Sequence, residues 1–220
     1  MKIFIDFDDV LFNTKAFTED IKKIFSKAGI SEELFYETYR DRNDNSKKMD
    51  GHFLTYNPSL HFRKIKDKLD INTKMLESDF CALTENTKKY IFSDVPAFLK
   101  AFEKKDLFIL SFGTNEFQEK KIKNSGISDY FSKIIIVSHG LKSHAIKEII
   151  EKKSIKKDEP VYFLDDRVKF LEEVKVKFPD VITILVKRPE GRYQDTKKEQ
   201  HCDFEAHSLK EVRKIIEKLA

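Results

Sequence analysis

The chain has 220 residues, 36% charged and 40% hydrophobic, which is the composition of a soluble globular protein with room for one ample domain or a core plus a smaller insert. A formal charge of +4, from 42 Lys and Arg against 38 Asp and Glu, is too even for a nucleic-acid binder, although a mildly positive surface suits an anionic substrate. No apolar run approaches a membrane span, and the N-terminus lacks the basic and apolar regions of a signal peptide. With only Cys81 and Cys202 present, a reduced cytoplasmic protein is expected.

In chain order, Lys2–Ile5 reads as an apolar strand that runs straight into Asp6-Phe7-Asp8-Asp9. The stretch 15–92 then shows helical patterning without a convincing strand, over 17–28, 32–41, Pro58–Leu69 and 73–91, with a break near Thr84. Asn43-Asp44-Asn45-Ser46 and Met49-Asp50-Gly51 read as loop inside it. After it, strands expected at 107–110, Lys133–Val137, 161–164 and 181–186 alternate with helices. The first of these helices opens at Ser93-Asp94-Val95-Pro96 and runs to about 104. The next runs over Asn115–Asn124, capped by Asn115 and closed by Gly126. Ser143 can cap another to about 153, and 167–177 gives a fourth. A final helix at about 208–219 packs back on the sheet.

Alternating strands and helices predict an α/β fold, a parallel sheet with helices on both faces, with residues 1–14 and 93–220 as its core and 15–92 as an inserted all-helical cap.

Ligands of open parallel sheets gather at the C-terminal strand ends. Those ends carry Asp6, Asp8 and Asp9, then Ser111, then Lys142 in Ser138-His139-Gly140-Leu141-Lys142, then Asp165-Asp166. Clustered carboxylates need a cation, and an all-oxygen acidic site suits Mg²⁺. A carboxylate can attack phosphorus, and a second can move the proton of the leaving group and of the water. Ser111 and Lys142 can hold the phosphoryl oxygens. Asp6, a main-chain carbonyl near Asp8 and the Asp165/Asp166 pair can supply the metal with oxygen.

These four motifs, in this order and spacing, resemble those of the haloacid dehalogenase-like hydrolase superfamily. The resemblance implies a Rossmann-like core. It implies Asp6 as nucleophile and metal ligand, and Asp8 as general acid/base that also offers its main-chain oxygen to the metal. Ser111 and Lys142 would bind phosphate. Asp166 would be the direct metal ligand, with Asp165 acting directly or through water. Two departures stand out: Asp9 replaces the Gly of many members, and the Pro that often follows the lysine is missing, which leaves Lys147 as a substitute for Lys142. Dehalogenating members lack an acid at the position of Asp8, so its presence points to phosphate esters.

The expected function is therefore a Mg²⁺-dependent phosphatase for a small phosphorylated metabolite such as a nucleotide or sugar phosphate, with no nucleic-acid or membrane partner. A phosphotransferase or mutase shares the motifs. A phospho-accepting signalling module or a non-catalytic binding protein are rivals of other classes. His139 and His144 read as surface or capping residues, Cys81 as packed in the cap and Cys202 as loop or surface. Arg188-Pro189-Glu190-Gly191-Arg192-Tyr193 reads as a surface turn, with a place bordering the site as the alternative. Cap residues that could choose the substrate are Tyr36, Arg40, Arg42, Tyr56, His61 and Arg63.

Overall fold

A computed structural model describes residues 1–39, 56–138, 141–152 and 159–219. Six strands form one parallel sheet in the order β3-β2-β1-β4-β5-β6. They are β1 Lys2–Ile5, β2 Leu107–Phe112, β3 Lys133–Val137, β4 Val161–Asp165, β5 Ile182–Val186 and β6 Phe204–Ala206. The registers Ile5↔Ile109 and Ile5↔Leu164 put β1 between β2 and β4, so both its neighbours end beside Asp6. This is the Rossmann-like α/β fold the motifs implied.

The apolar runs are unbroken in β1 and β4 because both faces of the sheet are covered. Ile3, Ile5, Ile109 and Leu164 point to a cluster shared with α5 (Val95–Leu99), α6 (Asn115–Asn124) and α9 (Leu209–Leu219). Phe4, Phe108, Leu110 and Phe163 point the other way, to α7 (Lys142–Lys152) and α8 (Val168–Lys177). Phe4 and Phe108 stack at 4.9 Å across the two strands. Fully burying one such side chain stabilises by roughly 1.5–3 kcal/mol.

Between β1 and β2 the chain forms α1 (Thr14–Lys27), α2 (Glu32–Tyr39), α3 (Pro58–Leu69) and α4 (Lys74–Glu85), then a 3₁₀ turn at Thr87–Tyr90. There is no strand among the described residues of 15–92. Entry and exit of this insert are laced together: Asn13 N–H donates to Tyr90 O at 2.7 Å and Phe92 N–H to Leu11 O at 3.1 Å. The expected loops at 43–46 and 49–51, the end of the 32–41 helix, Arg40 and Arg42 lie outside the described residues.

Several expectations need correction. β6 carries no alternation and was not foreseen. β2 runs on through Ser111, which pairs with Ile136 inside the sheet rather than following a strand. The helix expected over 93–104 is only Val95–Leu99, and the Asp94 side chain does not cap it. Its Oδ2 instead accepts from Arg188 Nη1 and Leu209 N–H, both at 2.8 Å. Ser143 and Asn115 lie inside their helices, with Thr114 ahead of α6. Gly126 does end α6, at φ +74°. Cys81 is exposed and Cys202 is buried, the reverse of the expected placement, and both are free thiols. No helix among the described residues is long and apolar enough to cross a membrane.

Candidate active site

The turn after β1 is shaped by its own backbone. Asp9 has φ +56°, and its N–H donates to Phe12 O at 2.8 Å, while Leu11 and Phe12 N–H both donate back to Phe7 O at 3.0 Å. A left-handed φ favours Gly and, among other residues, Asp and Asn. Arg192, whose Nε donates to Asp9 Oδ2, offsets part of the cost of burying that carboxylate, and burial still pushes its pKa upward. The segment expected as a surface turn is thus partly interior. Arg188 is buried and donates Nε and Nη2 to Val10 O at 3.0 and 2.9 Å.

Asp6 and Lys142 meet at the centre of the strand ends. The Lys142 side chain is fully buried, with Nζ 2.6 Å from Asp165 Oδ2 and 3.0 Å from Asp6 Oδ1. Its ammonium also lies 4.5 Å from the Phe170 ring centroid. Burial alone would push Lys142 toward neutrality, but Asp165 and Asp6 outweigh it and hold the pKa above its ordinary value. Lys147, by contrast, is exposed and pairs with Glu151 at 3.6 Å. The start of α7, which positions Lys142, is held from α8: the Glu173 carboxylate accepts Lys142 N–H at 3.1 Å and Ser143 N–H at 2.9 Å. An acid there satisfies two open amides and the positive end of the helix.

Asp6, Asp165 and Asp166 form an acidic triad, each offering an oxygen within 4.8 Å of the others. The two adjacent acids differ. Asp165 is occupied by Lys142 and by Arg167 N–H, which donates to Oδ1 at 2.9 Å. Both oxygens of Asp166 are buried without a hydrogen-bond partner among the described residues. Burial, then Asp165 and Asp6, push Asp166 well above the usual carboxylate range. Burial pushes Asp6 up to about 7 against the pull of Lys142, with Asp165 and Asp8 adding to the rise. An orphaned carboxylate facing two more is a donor set that fits a hard divalent cation.

Asp8 sits in a different setting. Its carboxylate accepts from Lys121 Nζ at 2.6 and 2.9 Å, from Thr14 Oγ1 at 2.7 Å and from Gln118 Nε2 at 2.6 Å. Burial would raise this acid, but Lys121 above all, then Arg192, hold it well below the usual range. The same Gln118 amide donates to Ser111 Oγ at 2.7 Å, which ties the acid to the strand hydroxyl. Gln118 and Lys121 were missed from the sequence, and Arg192 figured there only within the 188–193 turn, whose alternative place was beside the site. The spacing of Gln118 and Lys121 on α6, three apart and four residues past Thr114, was the available signal. Nothing near Arg192 in the chain pointed to Asp9.

A cavity of about 300 Å³ opens on the Asp8 side. Of the six expected site residues only Asp8 lines it; Asp6, Ser111, Lys142, Asp165 and Asp166 form the buried cluster alongside. Its other walls come from the insert, through Phe17, Tyr39 and Tyr56, and from Phe117, Arg192 and Tyr193. Among the substrate-choice candidates, Tyr56 reaches the cavity, His61 is buried behind it, and Tyr36 and Arg63 are exposed. His144 is exposed and does not line it, and His139 lies outside the described residues.

The family model of haloacid dehalogenase-like hydrolases matches residues 3–169. No curated protein sequence matches the chain. Among solved structures, a haloacid dehalogenase-like hydrolase from Burkholderia xenovorans superposes with a TM-score of 0.73 at 16% identity, covering 99% of this chain and 97% of that one. The L-2-haloacid dehalogenase of Xanthobacter autotrophicus gives 0.66 at 14% identity, covering 100% and 99%. The HAD-hydrolase YfnB of Bacillus subtilis, solved bound to magnesium, gives 0.63 at 14% identity, covering 98% and 97%. At such identities the likeness concerns the fold, and the relatives span both a hydrolase with bound magnesium and a dehalogenase.

Proposed function

The chain belongs to the haloacid dehalogenase-like hydrolases, and from that premise we propose that it is a magnesium-dependent phosphatase of a small phosphate monoester. The observation that carries this reading is Asp8, an acid that lines the cavity two residues beyond the nucleophile position and is wired by Gln118 to Ser111. A departing halide needs no proton, whereas a departing alkoxide does.

Asp6 attacks phosphorus, the ester oxygen departs with a proton, and an aspartyl phosphate forms on Asp6. Water then attacks that phosphorus, Asp8 takes its proton, and phosphate leaves a regenerated Asp6. Lys121 keeps Asp8 ionised, the form that serves as base in the second step. In the first step the Lys121 ammonium, hydrogen-bonded to both oxygens of Asp8, can relay a proton through it. Ser111 and Lys142 hold the phosphoryl oxygens. Asp6, Asp166 and the Asp8 main-chain carbonyl would hold Mg²⁺, with Asp165 beside them. The ion supplies positive charge that lets a carboxylate approach a phosphate.

Phosphate release from a panel of monoesters, with and without magnesium, tests this. Asp6→Asn is expected to lose activity by about 10³-fold or more. Halide release from a 2-haloacid, together with no phosphate release from any ester, overturns it.

A further inference from the structure

The cavity wall opposite Asp8 is aromatic and held rigidly. The Tyr39 and Tyr56 rings stack at 4.5 Å with 15° between planes, and Phe117 meets Tyr56 edge-on at 5.4 Å. Tyr56 is pinned from both sides. Thr114 Oγ1, in the core, donates to its carbonyl at 3.0 Å. Its hydroxyl lies 3.1 Å from His61 Nδ1. Thr38 Oγ1 donates to Leu34 O at 2.6 Å, so it accepts from His61 Nε2 at 2.9 Å. That fixes the tautomer: His61 Nδ1 accepts, and the Tyr56 hydroxyl is the donor. Across the rim, the guanidinium groups of Arg167 and Arg192 lie 5.2 and 5.5 Å from the Tyr193 ring centroid.

Several of the polar groups around the cavity are engaged with one another. Thr14 donates to Asp8, Gln118 to Asp8 and Ser111, Thr114 to Tyr56, and Tyr56 to His61. A polyol placed against the Tyr39, Tyr56 and Phe117 side would bury hydroxyls against rings and against donors already committed. A flat ring is suited by aromatic contact, which Phe17, Tyr39, Tyr56 and Phe117 supply along the cavity.

Resting on the phosphatase reading above, we propose that the leaving alcohol of the substrate carries a planar ring, seated against the Tyr39–Tyr56 stack and Phe117. The preference belongs to the ring itself and not to the sugar or linker that joins it to phosphate.

A matched comparison isolates the ring. Phosphate release is measured with magnesium for the 5′-monophosphates of adenosine, guanosine, cytidine and uridine and for 4-nitrophenyl phosphate, against ribose 5-phosphate and glycerol 3-phosphate. At least one ring-bearing ester should exceed ribose 5-phosphate in kcat/KM by about tenfold or more. A nucleotide winning marks a nucleobase site, and 4-nitrophenyl phosphate alone winning marks a site for a bare aryl ester. Tyr56→Leu should raise KM for the preferred ester and collapse the ratio, while Tyr56→Phe keeps the ratio. If Tyr56→Leu fails to fold, the matched pair on the wild type decides alone. Equal or better turnover of the ring-free esters overturns the proposal. If no ester is hydrolysed, the phosphatase reading has failed, and calorimetric binding of the same ligands to Asp6→Asn decides the ring separately. Tighter binding of a ring-bearing monophosphate than of ribose 5-phosphate supports it; no preference overturns it.

Discussion

Burial sets Asp6 and Asp166 apart from ordinary carboxylates. Both are pushed upward, Asp6 to about 7, while an unfolded Asp titrates near ~4. Between those values the folded protein keeps a proton that the unfolded chain has lost. Metal-free stability is therefore greatest at the acid end of this window and falls as pH rises through about 7. Asp166→Asn removes one buried charge, so in chelator at pH near 8 it should melt above the wild type. The same variant should lose most of the rise in Tm that magnesium gives the wild type. Thermal melts at acid and alkaline pH, with and without magnesium, check both; a variant that melts lower in chelator contradicts the account. These acids, with Asp8, Ser111 and Lys142, could be read in the sequence because each follows or ends a recognisable strand. Gln118 and Lys121 were not read there, and Arg192 was read only as part of a turn that could border the site. Their roles depend on which helix face meets the strand ends, and on a pairing of Arg192 with Asp9 across 183 positions.

Elements whose boundaries are fixed by local chemistry were the legible ones. Pro58 opens α3 behind Asn57, whose side chain accepts Leu60 N–H at 3.1 Å, and both bounds of that helix follow from the sequence. Elements decided by a distant partner were not. Asp94, ahead of α5, is taken by Arg188 and Leu209 instead of capping the helix, and β6 is three residues whose pairing with β5 no pattern announces. Helix α7 shows how such a partner reaches the site. Glu173 lies on α8, and its carboxylate accepts the first amides of α7, so it fixes the helix end that carries Lys142. Glu173→Ala should cost about 1 kcal/mol of stability, as losing a cap does. It should also lower kcat for every ester by a similar factor, since it loosens the shared phosphoryl site and leaves the cavity wall intact. Denaturant melts and steady-state kinetics on two esters read both effects; a change in KM for one ester alone would place Glu173 in substrate choice instead.

The sheet as a whole places its earliest strand in its middle. β1 has no local partner: Ile3 pairs with Leu107 on one side and Tyr162 on the other, so more than half the chain separates it from its second neighbour. Pairing at such separations is slow, because loop closure must precede any gain from contact. The inserted helices can gather around Phe25, Phe35 and Phe62 before then, but β1 lacks its second neighbour, and Asp6 lacks Asp165 and Asp166, until β4 arrives. During synthesis the strand that leads into Asp6 is thus made first and flanked on both sides only once β4 is made. A nascent chain would hold a folded aromatic subregion and no reaction centre, and function would appear in one step with chain length. Stalled chains ending before β4 should release no phosphate and bind no magnesium, while protease should already spare parts of the insert. A chain of that length with partial activity would mean that β1 is held by something other than its two neighbours.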